Sequence, residues 1–183
     1  RVVAQFSARA AAVAKELASR GIGRVEIKTR GVAHLIEHLM EGSTEHLKPG
    51  TPGAHLRRIG AVQIHLDLEP DRTDSWSVVP SANLEPALWV ESDRMGFLLP
   101  AVTKEDIVTN KKLIELEDHH RLSTVPYAVG DDQLSAALIP LGSSSSGNWR
   151  GIVPAVSRPA ELAPILRRFY VPSNATLVLA GDF

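Results

Sequence analysis

The 183-residue chain contains no cysteine. That removes disulfides, thiolate nucleophiles and every Cys-based zinc or iron–sulfur site, so any metal must be held by His and carboxylates. It also has no apolar run of about 18 residues, the length a membrane span needs. Neither sign of charge is in excess: Lys+Arg of 20 against Asp+Glu of 21 gives a formal net charge of −1, which offers no electrostatic case for nucleic acid or anionic lipid. Gly-rich phosphate loops and a Gly-x-Ser-x-Gly nucleophile elbow are missing as well. No basic-then-apolar leader follows Arg1, and the chain is read as mature, trimmed or cut from a longer protein. A cysteine-free chain suits the cytosol, the periplasm or secretion equally, so the compartment stays open. With 44% hydrophobic against 22% charged residues, the chain can bury a core of one ordinary domain.

Hydrophobic periodicity divides the chain into elements. The Ala-rich stretch from Ser7 to Ser19 reads as a helix closed by Gly21 and Gly23, and Arg24 to Thr29 as a short strand. Val32 to Glu41 is a helix ended by Gly42. Ala61 to Leu68 sets Val62, Ile64, Leu66 and Leu68 on one face and Gln63, His65 and Asp67 on the other. It turns at Glu69 to Arg72 and returns from Thr73 to Val79, a hairpin. Asn83 is expected to cap a helix reaching about Phe97, with Trp89 in its core. Thr103 and Asp106 resemble a capping box opening a long helix toward Leu122. Gly130 to Leu138 and Arg158 to Arg168 read as further helices, Gly142 to Gly151 as a surface loop, and Ala175 to Ala180 as a buried strand. This mixture predicts an α+β fold: a two-layer sandwich of mostly antiparallel sheet with helices on one face.

His34-Leu35-Ile36-Glu37-His38 carries the chemistry. On a helix, positions i, i+3 and i+4 share a face, so both imidazoles and the carboxylate project together while Val32, Leu35, Ile36 and Leu39 form the opposite, apolar stripe. Two His one turn apart can chelate one Zn²⁺, with the Glu beside the metal to act on bound water. A chance cluster on a solvated helix face is the bland alternative. Zinc needs a third protein ligand, and the residues leave it open among His46, His55, His65, His119, His120, Glu105, Glu115, Glu117 and Asp118. Glu115 and Glu117 diverge by about 160° on a helix, so one of them at most faces the metal. His119 and His120 diverge by about 100° and read as surface residues.

The stretch Gly31-Val-Ala-His-Leu-Ile-Glu-His-Leu-Met-Glu-Gly-Ser-Thr44 resembles the G-x-A-H-x-x-E-H-x-x-x-x-G-T signature of the M16 zinc peptidases, the family of pitrilysin, insulysin and mitochondrial processing peptidase, with a one-residue drift at its end. Asp71-Arg72-Thr73, the block from Trp89 to Phe97, and Tyr170-Val-Pro-Ser-Asn-Ala175 through Asp182 resemble it too. The resemblance runs from residue 31 to 183 and implies a single, incomplete M16-like half-domain, residues 1–30 being divergent and the N-terminal strands missing.

The resemblance implies a zinc endopeptidase in which His34, His38 and a Glu on a later helix hold Zn²⁺ while Glu37 acts as the base. Anchored on Pro126-Tyr127, the register makes Glu117 the third ligand, with Glu115 as runner-up. It places Asn110 where the family carries a second carboxylate that supports the zinc site. It also implies a peptide or unfolded polypeptide as substrate and a second M16-like half-domain as partner, in this chain or another. Gly60 to Leu66 stands where the family's substrate-pairing edge strand has an Asn that this chain lacks. The alternative is a non-catalytic structural or substrate-binding subunit of the same family, or a domain inactive without its partner half.

Overall fold

A computed structural model describes residues 2–9, 31–48, 50–69, 72–138 and 153–183, the first of these segments as backbone alone. In chain order the elements are β1 (Val2–Arg9), α1 (Val32–Met40), α2 (Pro52–Arg58), β2 (Gln63–Glu69), β3 (Arg72–Val79), α3 (Leu84–Gly96), α4 (Lys104–Thr124), α5 (Ala128–Leu138), α6 (Pro159–Phe169) and β4 (Ala175–Ala180). The four strands form one sheet in the order β2-β3-β1-β4, every pairing antiparallel. Helices cover the sheet face that carries Thr73, Ser75 and Val79. Ser75 bonds Glu91 of α3, Thr73 bonds Tyr170 beyond α6, and Val79 packs with Leu56, Ala87 and Val90 of α2 and α3. The α+β reading holds.

The N-terminus corrects the sequence reading in two ways. Ser7 to Arg9 belong to a strand, not the start of a helix, and an N-terminal strand is present after all. β1 is the inner strand between β3 and β4, with Val3 opposite both Val78 and Ala180. Two ladders of backbone bonds outweigh the intrinsic helix propensity of an Ala-containing stretch, which tertiary context routinely overrides. The remainder of the expected helix to Ser19, the strand from Arg24 to Thr29 and the loop from Gly142 to Gly151 lie outside the described residues.

Helix α2 was not anticipated; its Thr51 side chain caps it by accepting from the Ala54 amide, with Pro52 at its start. The other expected elements agree in their boundaries within about three residues, but three side chains do not behave as expected. Asn83 precedes α3 without capping it, and its Nδ2 donates instead to the Ile59 carbonyl at 2.9 Å. Trp89 is 50% exposed, because α3 turns Ala87, Val90, Glu91, Asp93 and Arg94 inward. β4 is a strand as predicted, but among the described residues it is an edge strand, and its Leu177 and Val178 are about half exposed, not buried.

The main core joins Val32, Leu35, Ile36 and Leu39 of α1 to Ile107 and Ile114 of α4 and Leu162 and Leu166 of α6. This packing brings α1 and α4 side by side.

Candidate metal centre

α1 begins where Gly31 adopts φ 72°, a left-handed conformation that costs glycine little. Its apolar stripe of Val32, Leu35, Ile36 and Leu39 is buried against the core. That fixes the helix rotation and leaves His34, Glu37 and His38 on the flank facing α4. Beyond its end, the Thr44 hydroxyl donates to buried Asp93 of α3, and His46 Nδ1 meets the other oxygen of that carboxylate. The Glu45 amide donates to the Phe97 carbonyl at 3.0 Å. The exit of the histidine helix is thereby pinned to the end of α3.

α4 is anchored at its start by the expected capping box: Thr103 Oγ1 accepts from the Asp106 amide and Asp106 Oδ2 from the Thr103 amide. Its buried residues are Ile107 and Ile114, two turns apart. Glu117 lies three positions after Ile114, about 60° round the helix on one side, and Glu115 lies about 100° round on the other. The core stripe therefore decides which acid reaches α1. Glu117 Oε2 stands 3.4 Å from His34 Nε2 and 3.3 Å from His38 Nε2, while Glu115 is exposed. The two Nε2 atoms are 3.1 Å apart. Among the described residues, His34, His38 and Glu117 form the group whose donor atoms lie close enough together to hold a metal ion.

The donor set fits zinc. A tetrahedral ion with bonds of about 2.0–2.1 Å spaces its ligand atoms about 3.3 Å apart, and the three edges here are 3.1, 3.3 and 3.4 Å. His34 is almost fully buried, whereas the Glu117 side chain is 56% exposed. The centre is therefore held from the protein side and open on the α4 side. Glu37 Oε2 is 3.7 Å from His34 Nε2, beside the three donors and outside their triangle.

The other sequence candidates lie elsewhere. Asn110 spends its amide on the Asp106 carbonyl of its own helix, at 2.8 Å, and so braces α4 from within. His119 and His120 are on the surface, as expected. His55 Nε2 faces the Leu47 carbonyl at 3.2 Å, and His65 stacks on Trp76 with ring centroids 4.1 Å apart.

The sequence reading passed over the polar residues under this region. Glu91 and Arg94 form an ion pair of 3.1 Å with both side chains nearly fully buried, and Ser75 Oγ bonds to each. Burial pushes the Glu91 carboxyl up, while Arg94 and the Ser75 bond pull it down. Thr73 Oγ1 and the Tyr170 hydroxyl are 3.0 Å apart. Burial raises the Tyr170 phenol to about 12, the Thr73 bond working against the shift and the charge of Glu37 adding to it. These side chains, with Met40 of α1, line one cavity of about 40 Å³. The block from Trp89 to Phe97 and the Tyr170 motif were visible in sequence, but nothing local marked their polar residues as buried.

No protein-family model and no curated protein matches the sequence. Solved structures do match its fold. A protease from Helicobacter pylori superposes on all of this chain with a TM-score of 0.74 at 19% identity, and the chain spans 41% of its length. An M16-like peptidase from Alicyclobacillus acidocaldarius gives 0.73 at 22% identity, again over all of this chain and 41% of its own. The inactive domain of an M16 peptidase from Pseudomonas fluorescens gives 0.71 at 16%, over all of this chain and 42% of its own. The chain thus has the fold of part of an M16 peptidase and spans about two fifths of the length of these neighbours.

Proposed function

We propose that this chain is the zinc-binding part of an M16-type endopeptidase, one incomplete half-domain that works with a second half of similar fold. The observation that carries the reading is the convergence of His34 Nε2, His38 Nε2 and Glu117 Oε2 at the spacing of a tetrahedral ion's ligands, on a fold shared with M16 peptidases. Zinc held there would supply Lewis acidity, activating a water near neutral pH and polarising the scissile carbonyl. Glu37 sits beside the three donors without joining them. Its carboxylate takes the proton of the attacking water and then delivers a proton to the leaving amine. To hold a metal through Nε2, each imidazole would be neutral with its proton on Nδ1. The open side of the centre at Glu117 is where an extended polypeptide and the closing partner half would approach.

Glu37→Gln is the decisive variant. It should keep about one zinc per chain by elemental analysis, yet lower peptide hydrolysis by the complete assembly about 10²–10⁴-fold. Near wild-type turnover with zinc bound would remove Glu37 as the base. A wild-type assembly that holds zinc and cleaves no peptide would make the chain a non-catalytic subunit.

A further inference from the structure

Arg121 follows Glu117 by four residues on α4, the spacing and order at which an acid and a guanidinium pair on a helix surface. Round the helix it stands between two acids, about 40° from Glu117 on one side and about 60° from Asp118 on the other. It turns to Asp118. Its Nη2 donates to Asp118 Oδ1 at 3.1 Å and to Asp132 Oδ2 of α5 at 2.6 Å, with all three side chains mostly buried. Glu117 meets the two imidazoles, and no Lys or Arg of the described residues pairs with it. The junction between the helices carries Tyr127 at φ 64°, a left-handed conformation uncommon for a non-glycine residue, and the Tyr127 carbonyl accepts the Asp131 amide at 2.9 Å. The guanidinium is not fully satisfied, since its Nε is buried without a hydrogen-bond partner. A bare donor of this kind gains from any move to a further acceptor, and Glu117 is one helical turn away.

We infer that Asp118 and Asp132 are positioning residues for the metal centre: they hold Arg121 away from Glu117 and so keep that carboxylate for the ion. The inference rests on the zinc reading of His34, His38 and Glu117 and adds what holds the third ligand ready. An ion pair between Glu117 and Arg121 would compete directly with coordination. It would draw Oε2 from the two imidazoles it now faces, and an arriving metal would first have to displace a cation. Asp118 alone sets one acid against one, at helical spacings of similar worth. Asp132 tips the choice. It reaches in from a second helix, makes the shorter of the two bonds, and gives Nη2 two carboxylates at once. The two acids also leave their cluster net negative, a field that attracts a cation whatever Arg121 does. Removing either acid therefore changes two things, and Arg121 itself tells them apart.

The test is zinc affinity of the full chain, read by competition with a fluorescent chelator at fixed salt. Asp132→Asn keeps the shape of the side chain and should weaken zinc about three- to fivefold, the size of a surface ion pair gained by Glu117. Arg121→Met should bind at least as tightly as wild type, because the competitor is gone. Asp132→Asn added to Arg121→Met should then change affinity by less than about 1.5-fold. Asp131→Asn removes the same charge from the exposed neighbouring position and should leave zinc within about 1.5-fold of wild type. A loss in Arg121→Met equal to that in Asp132→Asn would make the cluster a plain brace of α5 on α4 and overturn the inference. A loss from Asp132→Asn that persists in the Arg121→Met background would mean that the field of the acid acts alone, and it overturns the inference too. Should Asp132→Asn loosen α5, circular dichroism reports it and the double variant still decides, because a loosened helix gives no reason for affinity to return with Arg121→Met. A wild type that takes up no zinc brings down the metal reading itself, whereas zinc bound equally by wild type and Asp132→Asn overturns this inference alone.

Discussion

Two clusters of acid and base in this molecule are built on opposite logic. Glu91 and Arg94 lie three residues apart on one helix, almost fully buried, with Ser75 bonded to both. Their charges cancel and the cluster is closed. His34, His38 and Glu117 come from two helices far apart in sequence and point three electron-rich atoms at one another, with the glutamate half exposed. The three donors converge at the spacing of ligands around one cation. A buried pair that neutralises itself ties α3 to the sheet, whereas converging donors with an open side suit a cation.

The strongest way to break that contrast is to remove one member of each cluster. Arg94→Met strands a buried carboxylate and should cost about 3–5 kcal/mol in urea unfolding of the metal-free chain, while calorimetry shows zinc affinity little changed. His38→Ala should do the reverse, weakening zinc by more than about 100-fold with metal-free stability within about 1 kcal/mol of wild type. If the two variants behaved alike, the division into a closed cluster and an open one would fall.

A finer cut separates the two acids of α4. Glu117→Gln should weaken zinc at least about tenfold, the lower bound for disturbing groups around a metal, and Glu115→Gln should leave it unchanged within error. The reverse order would hand the ligand role to Glu115.

The smallest expected effect concerns the wall between the clusters. The chain has two tyrosines, and ultraviolet titration should show one phenol ionising at about 12, a component lost in Tyr170→Phe. Because its folded pKa lies above the unfolded value, Tyr170 contributes stability that is complete below about pH 10 and is lost as pH climbs through about 12. The stability difference between wild type and Tyr170→Phe should shrink over that window. A constant difference would mean that Tyr170 is not buried as described.

How much of this was legible in the sequence follows from how local each determinant is. The histidine helix could be read because its apolar stripe and its polar face both repeat within nine residues, and Gly31 and Gly42 bracket it. The capping box at Thr103 could be read because its bonds close within three residues. α3 misled, since periodicity assigns charged residues outward, and here Glu91 and Arg94 face inward because they satisfy each other; Trp89 is displaced to the surface as a result. β1 misled because its strand conformation comes from partners more than 60 residues away. Periodicity left Glu117 and Glu115 undivided for a related reason, and it was the register of the resemblance that pointed to Glu117. α4 exposes Val108, Leu113, Leu116 and Leu122 as well as burying Ile107 and Ile114, so its inward stripe emerges only once α1 lies against it.

The meeting of α1 and α4 has a mechanical consequence. His38 and Glu117 are 79 residues apart, and an ion gripped by both closes that whole stretch into a ring. Tying a loop of this length removes about 4–5 kcal/mol of freedom from the unfolded chain by the usual polymer estimate. In a protein without cysteine, the ion would be a rivet that can be drawn and replaced. A chelator would then act twice with one withdrawal, ending the chemistry and leaving α1 and α4 held together by the packing of their apolar side chains.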